Sequence, residues 1–157
     1  MATPETTTAI EVLGATQTAV ALGWSAVGVE QTYRLYRDST VVYEGRDTHF
    51  VDAGLTAGAT HTYTLTGVVG SVESDSVTVS VTTTSGIVLI TDRTASDVSA
   101  RRRKGFYNAL DLIRVGEAMV YAQGLLKDSG YAVSIAVKLD WQLDDIPTKV
   151  QMDQYIS

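Results

Sequence analysis

Asp140, Asp144 and Asp145 put three carboxylates within six residues towards the end of this 157-residue chain. Carboxylates so placed can hold calcium or, as a pair, serve as acid and base in glycoside hydrolysis. The spacing lacks the central glycine and distal glutamate of an EF-hand loop, and no aromatic cleft can be traced beside it. Asp145, ahead of Ile146-Pro147-Thr148, reads more simply as a turn residue leading into a helix. His49 and His61 are the only histidines, and there is no cysteine. Thiolate catalysis, disulfides and cysteine-rich zinc sites are therefore excluded together, and a histidine-built metal centre is disfavoured. Serine, histidine and aspartate all occur, but no G-x-S-x-G, phosphate-binding loop, dinucleotide fingerprint or H-E-x-x-H organises them. The expectation is a non-enzyme with no cofactor and no metal.

Residues able to make contacts are more numerous. Arg101-Arg102-Arg103-Lys104 is the densest run of charge. It reads either as a solvated helix end or loop, or as a docking site for an acidic partner chain; four charges are too few for a nucleic-acid footprint. Residues 1–85 carry the whole net charge of −6, which would be repelled by a phosphate backbone, so no nucleic-acid partner is expected. Asp111, Arg114 and Glu117 follow at intervals of three, as in a helical i,i+3 ladder worth a few tenths of a kcal/mol per pair. Among eight tyrosines, Tyr33 and Tyr63 fall on inward strand phases. Tyr36 and Tyr43 fall on outward phases, where they could form a contact surface for a partner or a glycan. Gly45-Arg46-Asp47 reads as a hairpin turn.

The elements that must position these residues come in two kinds. Residues 8–83 are rich in Thr and Val and alternate polar with apolar, the period of half-buried strands. Seven runs can be drawn, at 8–13, 17–24, 31–37, 40–44, 47–52, 59–69 and 73–83, separated by Gly or Asp-Ser turns. Val20, Leu22 and Trp24, Tyr33 and Leu35, Tyr63 and Leu65, and Val77, Val79 and Val81 supply the inward faces. Threonines occupy the opposite phases of the last two runs. After the apolar run Ile87-Val88-Leu89-Ile90 the period changes. Thr94 to Asp97 has the form of a capping box. Asn108 is placed to cap a helix running to about Asp128, with an apolar stripe at Leu112, Val115, Met119, Ala122 and Leu126 and a C-terminal stop at Gly130. Residues 131–138 alternate like a strand that Trp141 closes. Thr148 and Gln151 form another capping box, opening a last helix with Met152, Tyr155 and Ile156 on its apolar side.

Ala21-Leu22-Gly23-Trp24, Tyr33-Arg34-Leu35-Tyr36-Arg37-Asp38 and the stretch from Asp52 to Leu65 together resemble a fibronectin type III domain. Two positions depart from that pattern, Ala57 where proline is usual and His61 where the corner tyrosine stands. Ile90-Thr91-Asp92-Arg93-Thr94, the stretch from Tyr107 to Ala118, and the stretch from Leu139 to Thr148 resemble a module of phage and prophage minor structural proteins of Gram-positive bacteria. In that comparison residues 98–105 look like a shortened linker, and the match of Asp111 and Arg114 to the module's motif implies a structural role for them, orienting the adjoining helix or Asp140. The implied fold is mainly β: a seven-stranded antiparallel sandwich (8–85) after a short arm (1–7), followed by a small α/β helix-strand-helix module (86–157).

The resemblance implies a virion structural or display protein, in the tail, baseplate, fibre or capsid decoration. Its partners would be other virion proteins and copies of itself in a symmetric assembly, with a host-surface glycan as a further partner. Residues 1–20 lack the charged and apolar regions of a signal peptide, and no apolar run is long enough to span a bilayer. Assembly in the host cytoplasm without membrane insertion is expected. The rival implication is a carbohydrate-binding or spacer module of a cell-wall hydrolase.

Overall fold

A computed structural model describes residues 3–7, 9–28, 31–105 and 107–153. Eight strands appear among them: β1 (Ile10–Ala15), β2 (Ala19–Trp24), β3 (Thr32–Arg37), β4 (Thr40–Gly45), β5 (His49–Ala53), β6 (Thr60–Val69), β7 (Val72–Glu73) and β8 (Val77–Thr82). The run expected at 73–83 divides into β7 and β8. All pairings are antiparallel. One sheet has the order β1-β2-β5; the other has β4-β3-β6, with β7 and β8 both pairing β6. This is a mainly β, fibronectin type III-like sandwich.

Its interior is the set that alternation picks out. Val20, Leu22, Tyr33, Leu35, Tyr63, Leu65 and Val81 are buried in one cluster around Trp24, itself 8% exposed. Trp24 meets Tyr33 edge-on, with ring centroids 5.8 Å apart, a geometry that adds to area burial. Asp38 and Ser39, with φ of 47° and 71°, form the two-residue β3–β4 turn. Non-glycine residues tolerate this conformation poorly. Asp38 is held there by Nδ1 of His61 at 2.6 Å and by the Thr62 N–H at 2.8 Å.

Three expectations are corrected. Gly45-Arg46-Asp47 is not a hairpin turn: β4 pairs β3 and β5 pairs β2, so the segment crosses from one sheet to the other. Tyr43 is not on an outward phase. A register shift in the β3–β4 pair places Tyr43 opposite Leu35, where it packs against Trp24 and Phe50 and its hydroxyl accepts from the Asp47 N–H. Residues 131–138 form no strand. Val133, Ile135 and Val137 are half-buried and alternate with exposed residues. The Val133 carbonyl accepts from Nε2 of Gln123 on a helix and the Val133 N–H donates to the Tyr131 carbonyl, so these groups are satisfied without a strand ladder. Among the described residues the C-terminal part thus has helices and irregular segments but no strand, and is not α/β.

That part contains α1 (Ala95–Ser99), a 3₁₀ turn at Arg103–Gly105, α2 (Ala109–Asp128) and α3 (Lys149–Asp153). Both expected caps at Thr94 and Asn108 are complete capping boxes. Helix α2 stops where glycine was expected to stop it. Gly130 has φ 89°, and the N–H groups of Gly130 and Tyr131 donate to the carbonyls of Lys127 and Leu126, a Schellman ending. In α3, Thr148 and Gln151 cap as expected; Tyr155 and Ile156 lie outside the described residues. No described helix is long and apolar enough to cross a membrane.

Candidate interaction surfaces

Every residue of β2 is buried, although a sandwich strand needs only one buried face. Its inward face is Val20, Leu22 and Trp24. Its other face, Ala19 and Ala21, joins Val51 of β5 beneath Ala109, Leu110 and Ile113 of α2 and beneath Trp141, which is 1% exposed. The C-terminal segment therefore covers the back of the three-stranded sheet. The cue was present in β2, whose outward positions are small and apolar where β6 and β8 carry threonine.

This docking redirects α2. The buried residues are Ala109, Leu110, Asp111, Ile113, Gly116 and Glu117, not the expected stripe; of that stripe Leu112, Val115 and Met119 are half-buried and Ala122 and Leu126 exposed. Glu117 does not continue a ladder with Arg114. Its Oε1 accepts from the Thr16 hydroxyl at 2.7 Å and from the Thr18 N–H and hydroxyl at 2.8 Å each, joining α2 to the β1–β2 turn. Residue spacing alone could not reveal these partners, which lie about a hundred residues away.

Asp111 does pair with Arg114, at 3.1 Å, and also with Arg93 at 2.8 Å, while its side chain caps the Asn108 N–H. Arg114 reaches the Ala15 carbonyl at 3.3 Å, and Arg93 lies 4.5 Å above the Tyr107 ring. Asp111 and Arg114 thus orient the Arg93 segment and the sandwich edge. They do not meet Asp140, which pairs with Lys138 at 2.7 Å.

Of the three carboxylates near Trp141, Asp140 and Asp145 share Lys138, at 2.7 and 3.3 Å. Asp144 meets Nε2 of His49 at 3.0 Å, and Asp145 accepts from the Gln142 N–H, which holds its carboxyl below the usual range. The Gln142 side chain both accepts from and donates to the Val51 backbone, at 3.1 and 3.0 Å, so it covers the open edge of β5 as a neighbouring strand would. Among the described residues no group of three potential ligands converges on a metal position.

Three of the four basic side chains of the run are paired with acids. Lys104 pairs with Asp92 at 2.6 Å, Arg102 with Asp97 at 3.5 Å and Arg103 with Glu11 at 4.0 Å. The Lys104 ammonium and the Thr94 hydroxyl hold Asp92 and Asp97, respectively, below ordinary carboxylate values. Arg101, Arg103 and Lys104 line a groove of about 410 Å³ between the sandwich and α2, floored by Leu13, Ala21 and Leu110. Tyr36 is half-buried and donates to Glu73, which also accepts from the Thr66 hydroxyl and pairs with Arg34. Tyr36 and Tyr43 therefore do not share a surface: one lies in an outer polar network, the other at the core's edge.

No family model matches the chain. A poly(3-hydroxybutyrate) depolymerase of Ralstonia pickettii is 39% identical over 61 residues, which are 39% of this chain and 12% of that enzyme. The chain thus spans a small part of the curated relative it matches. Among solved structures, a domain of human fibronectin type III domain containing protein 3 superposes on 55% of this chain and 91% of its own, with TM-score 0.49 and 16% identity. The chitinase ChiA74 of Bacillus thuringiensis does so over 52% of this chain and 14% of its own, with TM-score 0.47 and 18% identity.

Proposed function

We propose that the chain is a non-catalytic structural and display protein of a bacteriophage particle, its sandwich projecting from a C-terminal segment that engages the assembly. The observation that carries this reading is the two-sided burial of β2. A sandwich serving only as a link in a flexible string would keep its outer sheet face wet. Here that face is fastened by Ile113, Trp141 and Glu117 to a segment whose far residues, among them Ile146 at 87% and Val150 at 69% exposure, are apolar and uncovered. Apolar groups left uncovered in this way are available for contact with a neighbouring chain. Glu117 with Thr16 and Thr18, Arg114 with the Ala15 carbonyl, and Asp144 with His49 tie the two parts together, which suits a rigid spacer. The three C-terminal motifs support assignment of that segment to a virion module.

Immunogold electron microscopy of intact particles with an antibody to residues 1–85 tests the reading. Label at a symmetry-related position on the particle is expected; particles free of label while the protein is abundant in the lysate would reject it. A second reading, a carbohydrate-binding or spacer module of a bacterial or phage cell-wall hydrolase, draws support from the similarity of 61 residues to a depolymerase. It predicts that the isolated chain is retarded in native gels containing host wall polysaccharide.

A further inference from the structure

We infer that the groove between the sandwich and α2 takes an acidic segment of a neighbouring chain, one in which carboxylates flank an apolar side chain. The groove, of about 410 Å³, has a floor of Leu13, Ala21 and Leu110 and a rim of Arg101, Arg103 and Lys104. Ligand-sized clefts are about 300–1,000 Å³ and combine an apolar lining with a few placed polar groups.

Arg101 sets this groove apart. Helix α1 ends in a Schellman arrangement: the Arg101 N–H donates to the Val98 carbonyl at 3.0 Å and the Arg102 N–H to the Asp97 carbonyl at 2.9 Å. The residue that must turn left-handed in such an ending is normally glycine, and here it is Arg101, with φ 51°. The turn that follows is pressed against α1, because a Cβ on Gly105 would stand 2.6 Å from the Asp97 backbone. A long charged residue is thus fixed in a conformation that L-residues resist. Among the described residues the Arg101 guanidinium has no ion pair, whereas Arg102, Arg103 and Lys104 have Asp97, Glu11 and Asp92. Strain of this kind clusters where a side chain is held ready for a ligand.

Charge selects the occupant. Of the charged groups that line the groove, Arg101, Arg103, Lys104 and Arg114 are positive and Asp111 is negative, in a chain whose net charge is −6. Glu11 and Asp92, the partners of Arg103 and Lys104, are exposed. Solvated pairs of this kind are worth little and can be exchanged for incoming carboxylates. Asp111 is buried and bound to Arg93 and Arg114, so it repels an anion from the floor and leaves that space to an apolar group. Three cations spread along the rim match carboxylates at more than one point, which a peptide supplies and a single-headed fatty acid does not.

That the partner is a neighbouring chain rests on the structural role proposed above, and the two readings fail separately: particles without label would leave the groove's affinity intact, and a groove without affinity would leave the label in place. The probe is a fluorescein-labelled octapeptide alternating glutamate with leucine, titrated with the full chain and followed by fluorescence anisotropy. Saturable binding is expected, weakening several-fold as NaCl is raised from about 50 to about 300 mM, with a lysine–leucine octapeptide bound far more weakly. Arg101→Gly keeps the left-handed turn and removes the guanidinium. It should weaken binding about three- to five-fold without lowering the unfolding midpoint. Absence of saturable binding, equal binding of the lysine peptide, or unchanged affinity of R101G would each overturn the inference. So would displacement of the peptide by equimolar dodecanoate, which would make the occupant a lipid-like anion, or a doubling of mass on concentration that the peptide reverses, which would make it a second copy.

Discussion

Glu117 shows how much one side chain can decide. It is 5% exposed and its Oε1 receives three hydrogen bonds from Thr16 and Thr18, so a carboxylate in the middle of a helix becomes the fastening between that helix and a β-turn. Hydrogen bonds to a charged group contribute more than neutral ones, and leaving their donors buried and unpaired adds a further penalty. Glu117→Ala is therefore expected to lower stability by about 2 kcal/mol in urea unfolding, with Trp141 fluorescence shifting red before the sandwich melts. No loss, or simultaneous melting, would show that the fastening is unimportant. Asp111 is the parallel case: its i,i+3 pairing with Arg114 was readable in the sequence, whereas its bond to Arg93 needed the chain to return.

Among the elements, α2 depends on a glycine outside itself. Gly14 lies at the irregularity in the β1–β2 pair with φ 155°, and a Cβ placed there would stand 2.7 Å from the Leu110 side chain. Leu110 is on the buried face of α2 and its terminal methyl sits over Gly14, so a side chain at residue 14 would force that methyl to move. Gly14→Ala combines this clash with a backbone conformation that L-residues avoid. It should lower the unfolding midpoint by an amount corresponding to about 1–3 kcal/mol, and amide exchange in the first turns of α2 should accelerate. Unchanged exchange protection there would mean that the helix has room to spare. The boundaries of α2 were legible because capping and Schellman endings are local chemistry. Its buried face was not, because Leu110 and Ile113 compete with an equally apolar stripe for a partner, and helical periodicity does not name the partner.

For the whole molecule, charge links the sandwich and the C-terminal segment to the same solution variable. Asp38, Glu44 and Glu73 in the larger sheet are held below usual carboxylate values, chiefly by hydrogen bonds from His61, Arg34 and Thr66 respectively. Asp92, Asp97 and Asp145 in the C-terminal segment are held low by Lys104, Thr94 and the Gln142 N–H. A depressed folded-state pKa contributes stability above the unfolded value, about 4, and that contribution disappears as pH falls through the folded values. Urea midpoints are expected to be level between about pH 7 and 5 and to decline below about pH 4. Since these groups are largely solvated, the decline should be gradual and should diminish with added salt. A midpoint that rose on acidification would contradict the assigned directions.

Local rules were enough to establish the strands, their inward residues around Trp24, the helix caps and the absence of cysteine chemistry, because alternation, capping and composition act over a few residues. Only the tertiary structure decided that β2 is covered on both faces, that Tyr43 turns inward, that residues 131–138 have no strand partner, and that Glu117 faces Thr16 and Thr18 and not Arg114. Each of those outcomes depends on which surface a remote segment reaches first, and a side chain's preference for burial or for a hydrogen bond does not specify who will satisfy it.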